Sequence, residues 1–146
     1  MKALLQRVTS GSVTIDGNIE GQIATGLVIL LGVKTGDSEE DAKFLADKCL
    51  HLRIFPDGDG KFNLSCQDVS GEILVVSQFT LCANTTKGRR PSFIEAARPE
   101  VSEPLYEKFV HYVKESGLKV ETGIFGAMMQ VEINNDGPVT VMVESK

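Results

Sequence analysis

Four consecutive residues, Ser77-Gln78-Phe79-Thr80, place two hydroxyl groups, an amide and an aromatic ring at the end of an apolar segment. The segment before them, "EILVV" at 72–76, has the branched aliphatic side chains of a buried strand. Where such a strand ends, backbone N–H groups become free and can stabilise the oxyanion of a tetrahedral intermediate. The same pattern is typical of a strand that simply ends in solvent, so both interpretations stand.

A hydroxyl nucleophile would need a base beside it, and the surrounding sequence offers none. Residues 77–80 contain no histidine, lysine or carboxylate, and the two histidines, His51 and His111, lie in segments with helical patterns. Nothing in this spacing indicates a Ser-His-Asp triad. If the segment is a hydrolytic site, the substrate must supply the group that assists the attacking water.

A second stretch, "NNDGPVT" at 134–140, separates two alternating segments. Residues 128–133 and 139–143 each alternate their side chains in a way that predicts a strand, with a turn between the two strands. Asp-Gly suits a turn because glycine tolerates positive φ. Proline suits it less well because it cannot donate a hydrogen bond to the strand that it begins. The Gly137-Pro138 step therefore needs another explanation.

Length and charge limit the class of protein. The chain has 146 residues, of which 42% are hydrophobic, and this predicts one domain with a real core. Its net charge is −5, whereas a general nucleic-acid-binding protein carries a basic surplus. A polyanion would have to bind at a local patch, and Lys87, Arg89 and Arg90 in "KGRRP" form one candidate. The alternative is that these three residues are only a solvated loop.

Nothing in the sequence predicts a membrane protein, a secretory signal or a metal site. The longest apolar run, residues 27–33, is much shorter than the roughly 18 residues that cross a membrane. The first residues lack the apolar core of a signal peptide, so we expect a cytoplasmic protein. The cysteines, Cys49, Cys66 and Cys82, have no metal-ligand spacing. Cys49 lies on the apolar side of a predicted helix, which favours a buried, reduced thiol.

The first half of the chain predicts strands and then a helix. The strands are expected at 2–9, 12–15, 19–24 and 27–33, with a Ser-Gly-Ser turn between the first two and an Asp-Gly turn before the third. The helix is expected in the acidic segment after Gly36, capped by Asp37 or Ser38. Residues 55–63, "FPDGDGKFN", predict a loop.

The second half predicts a strand, a helix and further strands. The strand is expected at 72–81, and the helix has Ser102 as its cap, Pro104 in its first turn and Gly117 as its stop. The last strand is expected at 139–143. No repeat or linker divides the chain. We therefore expect a single α/β domain over residues 1–146, in which two helices cover a sheet.

The two unusual stretches make the chain recognisable. "SQFTL" at 77–81 followed by "NDGPVT" at 135–140 resembles the D-aminoacyl-tRNA deacylase family. "LLQRV", "KGRRPSF", "AARPE" and "TGIFGAMMQV" are also similar to that family, so the resemblance runs from residue 2 to about residue 143. The two motifs are specific in this order and at this separation, and neither departs from the family's pattern.

The resemblance implies an enzyme that hydrolyses D-amino acids, and also glycine, from tRNA. It implies a layered β/β/α arrangement of mainly antiparallel sheet with two principal helices, a homodimer with shared active sites, and no metal or organic cofactor. Ser77, Gln78, Phe79 and Thr80 would hold the aminoacylated 3′-terminal adenosine, with main-chain N–H groups near Phe79 and Thr80 on the oxyanion. Met129 would line this pocket or belong to the core. Either Thr80 is the nucleophile, or the ribose 2′-OH assists the attack.

The resemblance also implies a role for the Gly137-Pro138 step. In the family this peptide bond is cis and is inserted into the active site of the partner subunit. Rigid carbonyl groups there would leave room for a hydrogen on the substrate α-carbon but not for an L side chain. Asn135 and Asp136 would shape the turn. Arg7 would be a buried cation that binds backbone carbonyls near this step.

Two alternatives stand beside a D-specific deacylase. One is an aminoacyl- or peptidyl-tRNA hydrolase without chiral preference. The other is a non-enzymatic, dimeric nucleic-acid-binding module, which the acidic composition does not favour. In each of these readings, Lys87, Arg89 and Arg90 would neutralise phosphates near the acceptor end of the nucleic acid.

Overall fold

The computed structural model describes all residues from Met1 to Lys146. The chain forms eight strands, two α-helices and one short 3₁₀ helix. The strands are β1 (Lys2–Ile15), β2 (Asn18–Ile23), β3 (Gly26–Gly32), β4 (Phe55–Pro56), β5 (Phe62–Leu64), β6 (Glu72–Ser77), β7 (Val120–Thr122) and β8 (Gln130–Glu144). The helices are α1 (Glu39–His51) and α2 (Pro99–Lys114), and the 3₁₀ helix is Phe79–Cys82.

Six strands form one mixed sheet. Five of them have the order β2-β1-β3-β6-β7, and the sixth, β8, lies off this path and pairs with β1. β1 is antiparallel to β2, β3 and β8, whereas β6 is parallel to both β3 and β7. Antiparallel pairs are therefore the majority. The expected α/β class, with two helices on a mainly antiparallel sheet, is confirmed.

The core consists of two apolar clusters on opposite faces of this sheet. The larger has 22 buried residues and fills the space between the sheet and both helices. The smaller has six, among them Val8 and Val13 from the two halves of β1. The second half of β1 lies over β3. A Cβ on Gly11 would come within 2.8 Å of the Val28 side chain, so only glycine allows this close approach. The layers are thus β, β and α, as expected.

Two predicted turns are wrong, because both places lie inside long strands. β1 continues through Ser10-Gly11-Ser12, since Gly11 provides close packing against β3 rather than a reversal. β8 likewise runs along β1 on both sides of residues 136–139. Val8 pairs with Asn135 and Gln6 pairs with Thr140, so four residues of β8 lie opposite Arg7 alone. We call residues 136–139 the Gly-Pro bulge.

Two further predictions about local structure are corrected. Helix α2 begins at Pro99, with Arg98 as its N-cap, whereas Ser102 lies buried inside the helix. Proline is tolerated at the first helical position because its missing N–H would have no helical acceptor there. The expected loop at 55–63 is a small hairpin of β4 and β5.

Helix α1 and the cysteines follow the predictions. Ser38, not Asp37, is the N-cap, and its N–H donates to the Asp41 carboxylate at 2.8 Å. All three cysteines are buried and free, and burial raises the pKa of Cys49 to about 12. Neither α1 nor α2 combines the length and the hydropathy that a membrane-spanning helix needs. No group of three or more His, Cys, Asp or Glu side chains is arranged to hold a metal ion.

Candidate active site

The end of β6 differs from the predicted strand at 72–81. Gln78 N donates to Leu31 O at 2.8 Å, and at Gln78 the backbone leaves the strand conformation, with φ −144° and ψ 80°. Phe79–Cys82 then forms a single 3₁₀ turn, in which Leu81 N donates to Gln78 O. The first N–H groups of any helix have no helical acceptor. Those of Phe79 and Thr80 are therefore free to bind a ligand.

This turn borders a cleft of about 660 Å³, which we call the β6 cleft. Its walls are the ends of β3 and β6, the start of α2 and the loop before β8. Ten of the fifteen lining residues are hydrophobic. The full set is Leu31, Val33, Val76, Ser77, Gln78, Phe79, Ala97, Pro99, Ser102, Phe125, Gly126, Ala127, Met128, Met129 and Val131. A mostly apolar cleft with a few polar groups is typical of a site for a small molecule or an end group.

The β6 cleft brings together the residues predicted to hold the aminoacylated end of the tRNA. Ser77, Gln78, Phe79 and Met129 line it, and the side-chain amide of Gln78 donates to the hydroxyl of Thr80 at the rim. None of the lining residues is a histidine, lysine, arginine or carboxylate. The cleft therefore holds no side chain that could act as a general base on Thr80. Met129 lines the cleft and also packs on the smaller core cluster.

The Gly-Pro bulge lies far from the β6 cleft of its own chain. Gly137 lies opposite Arg7, which pairs with Leu27, and Leu27 pairs with Ile73 at the other end of β6 from Ser77. Three strand spacings across the sheet and four residues along β6 amount to roughly 20 Å. Gly137 and Pro138 are exposed, and the peptide bond between them is cis, as the resemblance implies. Within one chain, the bulge cannot contact a group bound in the cleft.

Arg7 supports the bulge from below. Its guanidinium is buried, with Nη1 donating to Ile54 O at 2.7 Å and Nε 3.2 Å from Oδ2 of Asp136. Gly137 has a φ of +124°, and a Cβ there would come within 3.1 Å of Arg7 Nη2 and 2.8 Å of Val139 Cγ2. The expected burial of Arg7 is confirmed, although the carbonyl that it binds belongs to Ile54 and not to the Gly-Pro step.

Asn135 closes the base of the bulge. Its side-chain amide donates to Arg7 O and to Val139 O, each at 2.9 Å, and its Oδ1 accepts from the Thr140 hydroxyl at 3.2 Å. Asn135 thus ties the two ends of the bulge to β1. Sequence reasoning missed Thr140, because this contact exists only when the segment is a bulge and not a turn.

The predicted basic patch forms an exposed loop near the β6 cleft. Asn84 and Ser92 bond each other through their backbones at 2.8 and 2.9 Å, and we call residues 84–92 between these bonds the basic loop. Lys87, Arg89 and Arg90 are exposed and take part in none of the ion pairs of the chain. Their charges are therefore available to an external anion.

Comparison with known sequences identifies closely similar proteins. A family model described as "D-Tyr-tRNA(Tyr) deacylase" matches residues 4–144. A protein of Aquifex aeolicus named D-aminoacyl-tRNA deacylase is 59% identical to this chain over 100% of it and 99% of the relative. A protein of Dehalococcoides mccartyi with the same name is 57% identical over 100% of this chain and 95% of the relative.

Two solved structures have the same fold. One, named "c-Myc DNA Unwinding Element Binding Protein", superposes with a TM-score of 0.94 at 41% identity, covering 100% of this chain and 99% of the other. The second, described as "Structural Analysis of a probable eukaryotic D-amino acid tRNA deacylase", superposes with a TM-score of 0.85 at 19% identity, covering 98% of each chain. At that identity the second match supports the fold alone.

Proposed function

The chain belongs to the D-Tyr-tRNA(Tyr) deacylase family, and we propose that it hydrolyses the ester of D-aminoacyl-tRNA to free amino acid and tRNA while leaving L-aminoacyl-tRNA intact. The whole chain, residues 1–146, acts as one deacylase domain. The reaction corrects mischarged tRNA during translation, so we assign the enzyme to the cytoplasm. Glycyl-tRNA is a substrate too, because glycine has no side chain for the enzyme to exclude.

One observation carries this proposal: free main-chain N–H groups border a cleft that lacks a titratable side chain. Ser77, Gln78, Phe79 and Thr80 hold the aminoacylated terminal adenosine, and the N–H groups of Phe79 and Thr80 bind the oxygen that becomes negative. An esterase of this kind works by stabilising the transition state and not by an activated nucleophile. Met129 closes the apolar side of the cleft against the substrate.

The proton transfers fall to the substrate. Water attacks the ester carbonyl carbon, the carbonyl oxygen takes the negative charge, and collapse of the intermediate releases the ribose 3′-oxygen. The neighbouring 2′-OH can take the proton of the attacking water and pass its own proton to the 3′-oxygen. Both proton transfers are then accounted for without a protein base. The Thr80 hydroxyl accepts a hydrogen bond from Gln78, which favours a positioning role for Thr80 over nucleophilic attack.

Thr80→Ala is therefore expected to keep at least about a tenth of the kcat/KM for D-tyrosyl-tRNA, since it removes neither the N–H groups nor the 2′-OH. Thr25→Ala, at an exposed threonine between β2 and β3 and away from the cleft, is the matched control. Single-turnover deacylation measures both. A loss of about 10³-fold or more in Thr80→Ala alone, the scale of an essential group, would restore Thr80 as the nucleophile.

The chiral filter in this proposal requires two chains. The Gly-Pro bulge lies roughly 20 Å from the cleft of its own chain, so it can line a cleft only if that cleft belongs to another copy. The outer face of the sheet offers a surface for pairing. Leu4 lies between Leu30 and Met142 in register, and these three apolar side chains are partly exposed. We propose a homodimer in which each bulge enters the partner's cleft.

The test of the function is deacylation of matched D- and L-tyrosyl-tRNA, with glycyl-tRNA as a third substrate. We expect D-tyrosyl-tRNA to be hydrolysed at least about 100-fold faster than L-tyrosyl-tRNA, and glycyl-tRNA to be hydrolysed as well. Equal rates with the D and L substrates would favour an aminoacyl- or peptidyl-tRNA hydrolase without chiral preference.

A second candidate is a non-enzymatic, dimeric nucleic-acid-binding module. The protein whose structure superposes with a TM-score of 0.94 is named for binding a DNA unwinding element, and this favours the second candidate. The net charge of −5 counts against it. Absence of turnover with all three substrates, together with retained binding of tRNA or DNA, would favour this candidate over the deacylase.

A further inference from the structure

An exposed aromatic pair lies at the rim of the β6 cleft. Phe79 and Phe93 meet edge to face, with ring centroids 5.1 Å apart and planes at 65°. Phe79 is 55% exposed and Phe93 37%, and the next residue, Ile94, is 88% exposed. A contiguous group of large exposed apolar side chains marks an interaction site. The reaction described above uses the backbone of Phe79 and gives no role to Phe93.

The same surface carries an uncompensated positive charge. Phe93 follows directly on the basic loop, whose two backbone bonds at Asn84 and Ser92 fix its base. Residues 84–94 contain Lys87, Arg89 and Arg90 and no carboxylate, in a chain whose net charge is −5. Aromatic faces beside a cationic strip are the combination that binds single-stranded nucleic acid, because bases stack on the rings and phosphates meet the cations.

We propose that the Phe79–Phe93 pair and the basic loop bind the single-stranded 3′ end of the tRNA just before its terminal adenosine, with a cytidine base packed on Phe93 and the phosphates beside Arg89 and Arg90. This inference rests on the proposed function. With the terminal adenosine in the β6 cleft, the nucleotides before it leave over the rim that the phenyl pair forms, because this rim carries both the exposed rings and the adjacent cations. This surface would thus favour esters that are attached to a tRNA end over esters of adenosine alone.

The test compares two esters that share the reacting group. One is D-tyrosyl-tRNA, and the other is D-tyrosyl-adenosine, which has no nucleotide before the adenosine. Phe93→Ala is expected to lower kcat/KM for the tRNA ester about 10-fold or more, mainly through KM. The loss for the adenosine ester is expected to be less than about 3-fold, since no base lies on Phe93 there. Phe93→Tyr keeps the aromatic ring, so its kcat/KM for the tRNA ester should stay close to the wild-type value.

Two further variants complete the design. Phe44→Ala removes a phenyl ring of similar exposure, 47%, from α1. It should change kcat/KM for neither ester. The double variant Arg89→Gln/Arg90→Gln should flatten the dependence of log kcat/KM on log salt by about 0.7 for each lost phosphate contact. That change should appear with the tRNA ester and not with the adenosine ester.

The outcomes separate this inference from the function on which it rests. Equal losses on both esters in Phe93→Ala, or no loss on either, would overturn the proposed tRNA surface while the deacylase stands. Rescue by Phe93→Tyr together with a loss confined to the tRNA ester would support it. Wild-type protein that hydrolyses neither ester would overturn the proposed function and this inference with it.

Discussion

Gly137→Ala is expected to lower the selectivity for D- over L-tyrosyl-tRNA by about 100-fold, whether through slower D hydrolysis or through gained L hydrolysis. The new Cβ would lie 2.8 Å from Val139 Cγ2 and 3.1 Å from Arg7 Nη2, at a φ of +124° that L residues rarely adopt. Neither neighbour can move easily, because Val139 is buried in the core and Arg7 is held by Ile54 O. The bulge itself must shift, and a displacement of about 1 Å in a positioned group can cost about 10²-fold.

Two other glycines separate the possible causes of such a loss. At Gly58 a Cβ would meet nothing within 4 Å, and φ lies outside the positive region that L residues rarely adopt. Gly58→Ala should therefore change neither the rate nor the selectivity. Gly17 has a φ of +78° with open space around it. Gly17→Ala should therefore lower thermal stability slightly and leave selectivity intact. The kcat/KM values for both tyrosyl-tRNAs and a thermal unfolding curve measure these effects. Unchanged rate and unchanged selectivity in Gly137→Ala would remove the bulge from the account.

The sequence predicted the elements whose signals are local. The uninterrupted apolar run at 27–33 identified β3, and Asp37 and Ser38 with the acidic residues after them identified the start of α1. It failed where one residue type serves two purposes. Gly11 suggested a turn, but its missing side chain permits close packing against Val28. Ser102 and Pro104 suggested a helix start, although Pro99 already begins α2.

The candidate site was predictable in its members but not in its arrangement. Residues 77–80 and the Gly137-Pro138 step were found from their types and from the family resemblance. Arg7 was expected near this step, but its contacts with Ile54 and Asn135 were not, because those residues are 47 and 128 positions away in the sequence. No periodicity within a short window can reveal such a contact. The separation between bulge and cleft, on which the proposed dimer rests, likewise depends on strand pairing that the sequence does not specify.

The second large effect is expected in a dimer built from two different variants. In Ala127→Trp, an indole placed on the lining of the β6 cleft is expected to block it, while the Gly-Pro bulge stays intact. The Gly137→Ala chain has the opposite defect. A heterodimer purified through two different tags then has one working cleft, which belongs to the Gly137→Ala chain. The selectivity of that cleft reports which chain's bulge enters it.

The homodimers of both variants are the controls for this experiment. The Ala127→Trp homodimer should be inactive, and the Gly137→Ala homodimer should have lost its selectivity. Both should have the dimer mass of the wild-type protein and a single cooperative unfolding transition, which would exclude a folding defect. The transition of Gly137→Ala should lie at a lower temperature, because the alanine is strained at a φ of +124°. With these controls, restored selectivity in the heterodimer must come from the open cleft of one chain acting together with the intact bulge of the other.

The deciding measurement is the ratio of D- to L-tyrosyl-tRNA hydrolysis by this heterodimer. If handedness is sensed by a bulge lent from the partner subunit, the ratio returns to the wild-type value, with about half the wild-type rate per dimer because one of its two clefts works. If the ratio stays at that of the Gly137→Ala homodimer, or if a monomeric variant keeps full selectivity, then the filter acts within one chain and the account is contradicted.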